Sequence, residues 1–568
     1  MHAATVCTGR GWRGVVAAMV ASVMLPSASR AAEDFGIAQV RFINERISAA
    51  WADAGLAPSA PATDGEWCRR LYLDLLGRIP TIDELQGFVA DKSPQKRPAL
   101  VARLLGDDSV DEYARNFTDV WTTILIGRDT MNEQVSRPGM RQWLRRALSK
   151  NIPYDQFMEE LVTATGVNTN RRGVAGFNGA TNFLSGKLEE MGVVNGVQAT
   201  AKTAQIFLGL QVQCTQCHNH PFNKGKQNQF WEMNAFFRQT QALRRRDGGD
   251  DVAWIELVDA DWQGEGGNPE EAELYYELRN GLMKVAYPVF VDGTEISRSG
   301  YLPGKTEDGE PYGVNRRQEL AKLIKSSPLF AKAIVNRMWG HFLGYGFTKP
   351  VDDLGDHNPP SHPELLDGLA DRFREQSFDV KELLRWIVLS EAYALSSRGT
   401  PENAADDPAL GAKPRFTHFY LRQMTAEQLY ESLLTATQAD KTAGGEDAAA
   451  KKDEWLSQFV IAFGTDEGGE STTFNGSIPQ VLMMFNGDVI KRATSLGQGS
   501  FLDGVIDEAG SNDSRINALY LAALARKPTA SELRVASALV AARKGDVPDA
   551  LQDVWWAVLN SNEFILNH

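Results

Sequence analysis

Along most of the chain apolar residues recur at intervals of three and four, the spacing that gathers them on one face of an α-helix. In the N-terminal half this predicts helices over residues 37–50, 97–105, 113–125, 139–148, 154–163 and 199–210. Between Gly166 and Gly186 the period disappears among Gly, Asn and Arg, so a long surface loop able to cover a site is expected there. From Gly248 to Gly304 the pattern switches to alternation at 254–258, 273–278 and 282–291, which predicts strands, with Asn280-Gly281 as a type I′ hairpin turn. Helical spacing returns over 317–325, 329–343, 363–376, 380–392 and 426–437, and the Ala- and Gly-rich stretch 438–452 reads as a flexible excursion. The expected fold is therefore mainly α: two helical domains, 33–247 and 305–568, joined by a small β-hairpin insert at 248–304.

One stretch occurs twice. Leu71-Tyr72-Leu73 leads through Arg78, Pro80 and Thr81 to Glu84-Leu85, and Leu519-Tyr520-Leu521 leads through Arg526, Pro528 and Thr529 to Glu532-Leu533. Each copy reads as a helix, a Pro turn and a second helix opened by a Thr-x-x-Glu capping box. Two ends built alike are expected to pack together.

The first 32 residues have a different character. Arg10 and Arg13 precede an apolar run from Val15 to Leu25, followed by Pro26 and small residues up to Ala32, the pattern of a secretory signal cut near Ala31 or Ala32. The run is too short to span a bilayer, no twin arginine precedes it, and no later segment is long enough to cross. An exported protein, periplasmic or at the cell surface, is expected. The net charge of −14 disfavours nucleic acid and anionic membranes as partners, because both require clustered cations. Nothing resembles a phosphate-cradling glycine loop, a nucleophile elbow or an H-E-x-x-H helix.

Once Cys7 leaves with the signal, Cys68, Cys214 and Cys217 remain, an odd set that argues against a disulfide framework. Cys68 is expected to be a buried, inert residue. Cys214-Thr215-Gln216-Cys217-His218 has the C-x-x-C-H spacing of covalent haem attachment. Two thiols three residues apart can each add to a haem vinyl group while the adjacent imidazole reaches the iron. Cys214 and Cys217 are then tethers of haem c and His218 the proximal ligand. The same residues leave other readings open. His218 and His220, with Asp353, His357 and His362 from the acidic loop 352–364, could hold zinc or another divalent ion in a hydrolase or binding protein. A local disulfide in a non-catalytic scaffold is the third reading. For a distal ligand the sequence offers His341, His357, His362, His418, Met191 and Met233 without ranking them. Asn336, Arg337 and Trp339 lie near His341 and either line a cleft or lock the second domain's core.

Further segments carry a resemblance. They are Gly77-Arg78-Ile79-Pro80-Thr81, Phe207-Leu208-Gly209 running into the C-x-x-C-H motif and His220-Pro221-Phe222, then Asn336-Arg337-Met338-Trp339, Asp352-Asp353-Leu354-Gly355, Pro360-Ser361-His362-Pro363 and Asn560-Ser561-Asn562-Glu563-Phe564. In these the chain resembles the planctomycete cytochrome-like family with tandem domains of unknown function, fifteen-forty-nine followed by fifteen-fifty-three. The resemblance implies a cytochrome character for the first domain and assigns no activity. The leading expectation is an exported c-type-cytochrome-like protein serving electron transfer or an associated oxidation, with a redox protein or small molecule as partner.

Overall fold

The computed structural model describes residues 33–568 apart from 129–131, 191–192, 221–223, 248–251, 440–447, 465–479, 481–482, 486, 498, 509 and 544–545. The expected signal segment 1–32, Met191, Pro221-Phe222 and the centre of the 438–452 stretch lie outside the described residues. The described fold is mainly α, with strands only in small antiparallel groups. A typical helix, Pro363–Glu375, starts on a proline whose missing N–H costs nothing at that position, and it buries Leu365, Leu366, Leu369, Ala370 and Phe373 on one face. No described helix is long and apolar enough to cross a membrane.

Burial cuts across the boundaries read from the sequence. One apolar core joins Val110–Ile126 and Tyr154–Val162 of the N-terminal half to Pro328–Leu343 and Val380–Val388 of the second. A second core gathers residues 424–565, and Leu73 and Ile79 reach into it from the other end of the chain. Helix Asp64–Leu76 therefore serves both. It approaches the second copy of its own motif so closely that a Cβ on Gly65 would stand 2.2 Å from the Ala525 carbonyl oxygen.

The two copies agree in detail. Thr81 with Glu84 and Thr529 with Glu532 both form capping boxes. Arg78 bridges Glu84 and Glu112, and Arg526 bridges Glu532 and Glu563. Only the first copy carries buried charge. Asp74 is fully buried and accepts from Arg422 Nη2 at 2.8 and 3.0 Å, Tyr393 Oη at 2.8 Å and Asn567 Nδ2 at 2.8 Å. Beside it Arg69 donates to the carbonyls of Phe564 and Leu566, and Arg70 to those of Tyr393, Leu395 and His568. These bonds join the helix to residues more than three hundred positions away.

Four local expectations are corrected. Residues 169–176 run irregularly at the surface as expected, but the rest of the 166–186 span does not form a loop: Phe183 and Leu184 are fully buried, and helix Asn182–Ser185 packs against Arg137–Ser149. The Gly and Asn content has another purpose. A Cβ on Gly179 would lie 2.1 Å from the Gly139 carbonyl oxygen, so glycine permits this contact. Asn182 then accepts from Ser136 N and donates to the Asn168 and Gly179 carbonyls, satisfying backbone groups that burial would otherwise leave unpaired. The β region also begins before 248. Thr240–Arg246 pairs with Val252–Asp259, which pairs on its other edge with Gly166–Val167. The arginine run hid this strand, because its charges point outward to Glu189 and Glu256. At Asn280-Gly281 the hairpin forms, but Leu278 N bonds Leu282 O and only Gly281 has positive φ, at 82°. That is a three-residue loop with a glycine bulge in place of the type I′ turn. The 438–452 stretch, finally, is already helical from Ala448.

Burial pushes the imidazoles of His341 and His568 down to about 3 and that of His362 down to about 4. An unfolded imidazole takes its proton near pH 6.5, so below that pH the unfolded chain binds more protons than the folded one. Stability is then lost as pH falls from about 6.5 to about 4, at up to roughly 1.4 kcal/mol per pH unit for each histidine. Urea midpoints measured from pH 7 to pH 4.5 should decline steadily, and less steeply in His362→Phe. A flat profile over that range contradicts this assignment.

Candidate functional site

The C-x-x-C-H turn sits where the two halves meet. Helix Val197–Thr203 runs into a π-helical turn, Ala204–Leu208, which Gly209 ends at φ 63°. A Cβ on Gly209 would press to 2.8 Å from Leu354 Cδ1, so glycine is needed for close approach as well as for the backbone angle. The Gly209 carbonyl accepts from Leu354 N at 2.8 Å, which ties the second half's loop to this corner. Asp352 reinforces the junction: its carboxylate accepts from Gln211 Nε2 at 2.8 Å and from Gln205 Nε2, and it attracts the buried Arg337 guanidinium.

Cys214 follows in the short 3₁₀ helix Gln213–Gln216. Thr215 is buried beneath it and donates to the Val212 carbonyl at 2.7 Å. Helix Gln227–Asn234 holds the other side, with Gln227 Nε2 and Trp231 Nε1 both donating to the Gln216 carbonyl at 3.2 and 3.1 Å. The turn is thus fixed from below while its reactive groups face out. Cys214 and Cys217 are exposed, unbridged thiols, whereas Cys68 is buried and its thiol is pushed up by desolvation. The exposed His218 places Nδ1 2.7 Å from the Asn219 carbonyl oxygen, so Nδ1 is the donor in that bond.

A cavity of about 310 Å³ opens beside the turn. Leu210, Val212, Phe230, Met233, Val291 and Leu354 supply its apolar lining, Gln211, Lys226, Gln229 and Asp353 line it with polar groups, and Thr215 borders it from within the motif.

Of the metal candidates, His220 and His357 meet at 5.3 Å between ring centroids, and His357 Nε2 lies 3.0 Å from Asp353 Oδ2. His362 does not join them. It is buried between Phe347 and Phe416, with Nδ1 2.9 Å from Ser361 Oγ. Among the described residues no group of three or more His, Cys, Asp or Glu is arranged to hold a metal ion. His341 packs on Phe117, and His418 lines a separate cavity with Tyr345 and Tyr420. Asn336 bonds Thr348 and the Val351 carbonyl, and Trp339 stacks on Phe347, so this segment locks a core. The sequence reading missed Gln205, Gln211 and Asp352 as the joint between the halves. Their signal, two glutamines flanking a glycine corner, has no period.

Two family models match. PSCyt2, protein of unknown function (DUF1549), covers residues 42–242, and PSD1, protein of unknown function (DUF1553), covers residues 316–473. No curated protein and no solved structure matches the chain. The site draws on both matched regions, since the motif and its anchoring helix lie in the first and the loop carrying Asp352, Leu354 and His357 in the second. The chain belongs to the family in which a DUF1549 domain is followed in tandem by a DUF1553 domain.

Proposed function

We propose that this is an exported c-type-cytochrome-like protein in which Cys214 and Cys217 tether haem and His218 binds its iron. The observation that carries the reading is the pair of exposed, unjoined thiols in one anchored turn, with Thr215 between them bordering a cavity of mixed apolar and polar lining. Attachment needs both sulfurs accessible, and anchoring by Gln227 and Trp231 holds their spacing fixed. The Asn219 carbonyl orients His218 and raises the basicity of Nε2. The cavity is at the small end of the roughly 300–1,000 Å³ usual for small-molecule pockets, so it receives an edge of a ring. The rest would lie outside it, at the exposed cysteines, which do not line the cavity.

Haem at this turn would supply one-electron chemistry. The chain's own part is to hold the proximal imidazole, shield one edge from water with Leu210, Phe230 and Leu354, and surround it with a net charge of −14 that favours a cationic redox partner.

The test is production of the full chain in a host with covalent haem-attachment machinery. Haem staining should persist on a denaturing gel, together with a Soret band, and both should vanish in Cys214→Ala while folding is unchanged. A colourless wild-type chain, above all one binding stoichiometric zinc, overturns the reading.

A further inference from the structure

We infer that the cavity around His418 binds a small organic cation, an alkylammonium group held by the carboxylates of Asp406 and Asp407 and by the rings of Tyr345 and Tyr420. This site is separate from the C-x-x-C-H turn and does not depend on haem. The cavity measures about 290 Å³ and is lined by the 403–409 loop, by His418, Tyr420 and Leu421, and by Tyr345.

Its charge is unbalanced. Asp406 is 2 % exposed, and its carboxylate accepts from Arg415 N at 2.8 Å, Thr417 N at 2.9 Å, Thr417 Oγ1 at 2.7 Å and Tyr420 Oη at 2.6 Å. These four donors organise the turn at 415–420 and account for the position of the carboxylate, but all of them are uncharged. Among the described residues no Lys or Arg side chain pairs with Asp406, and the basic group nearest it is His418, whose Nδ1 lies 4.0 Å from Asp406 Oδ2. That nitrogen is buried and has no hydrogen-bond partner. Burial holds the imidazole below its ordinary value against the opposing pull of Asp406 and Asp407, so at pH 7 it is neutral and supplies no counter-charge. Asp407 spends Oδ1 on the amides of Ala409 and Leu410. No Lys or Arg lines the cavity, so the two carboxylates focus a negative potential within it.

The rings select the kind of cation. Tyr420 meets Tyr345 at 5.1 Å and 88°, and His418 at 4.8 Å and 75°. Aromatic walls attract a cation through the negative faces of their rings and suit an ammonium that carries carbon. The chain already places one ammonium on this cluster: Lys349 Nζ stands 5.5 Å from the centroid of the Tyr345 ring, without lining the cavity. A hard metal ion would need more oxygen ligands than the two carboxylates offer.

The experiment titrates the full-length chain calorimetrically with choline and with dimethylbutanol, the neutral carbon isostere of choline. Choline should bind saturably at one site, and the isostere about tenfold more weakly or less, because it lacks the charge. Asp407→Asn keeps the Oδ1 that caps the loop and removes only the charge, so it should weaken choline and leave the isostere unchanged. Ala404→Lys, at an exposed position lining the cavity, should put a tethered ammonium in the site and abolish choline binding with an unchanged urea midpoint. Absence of saturable choline binding overturns the site. Equal affinity for choline and the isostere, or choline binding that neither variant changes, overturns the assignment of a cation to this cavity.

Discussion

Asp74→Ala should destabilise the fold by about 3–5 kcal/mol, the cost of stranding one member of a buried ion pair. The carboxylate is fully buried and takes four hydrogen bonds from Arg422, Tyr393 and Asn567, so its removal leaves a guanidinium and two polar groups facing apolar surroundings. Burial pushes the Asp74 carboxyl up, and Arg422 and Tyr393 work against that rise. Cost and net worth differ here. Replacing both partners, Asp74→Leu with Arg422→Met, should recover most of the loss, since well-packed apolar groups often substitute for such pairs without penalty. A urea midpoint in Asp74→Ala equal to wild type would show that Arg422 is not held as described. The second copy of the motif supplies an internal control. Ala522 stands where Asp74 stands in the first, which ties the charge to joining the two cores and not to the motif itself.

Asp352→Ala should cost about 3 kcal/mol, the lower end of the same range, because Asp352 retains 6 % exposure and its partners include two uncharged glutamines. Its effect on the site should be larger than its effect on the fold. Asp352 joins the π-helical turn to the loop carrying Leu354 and His357 beside the Gly209–Leu354 backbone bond, so without it one wall of the cavity loosens. Amide hydrogen exchange should speed up over residues 205–211 and 350–358 while the 424–565 core keeps its protection. Uniform loss of protection through both cores would show that Asp352 acts on global stability alone.

Helical period revealed most helices, because each buries one stripe, and capping chemistry marked both copies of the repeated motif at Thr81 and Thr529. Where burial depends on backbone approach, the period gives no sign. Gly139 and Gly179 touch through their main chains, and Asn168 and Asn182 satisfy the polar groups there, which makes a buried segment read as a loop. Strand Thr240–Arg246 was obscured because its cations pair sideways with Glu189 and Glu256. The C-x-x-C-H motif was readable because its chemistry lies within five consecutive residues. Its surroundings were not: Asp352 and Leu354 reach it from about 140 positions away, through a π-turn that no propensity scale marks. The loop at 352–364 comes beside the motif, where the His357 ring lies 5.3 Å from that of His220, but His362 turns into the aromatic core where the Pro363 helix begins.

Covalent attachment at Cys214 and Cys217 is read directly from the intact mass of the denatured, full-length chain produced in a haem-attaching host. The expected mass is that of the polypeptide plus one haem, and that of the bare polypeptide when both cysteines are changed to alanine. A wild-type mass equal to the polypeptide alone, with both thiols still open to alkylation, would contradict it.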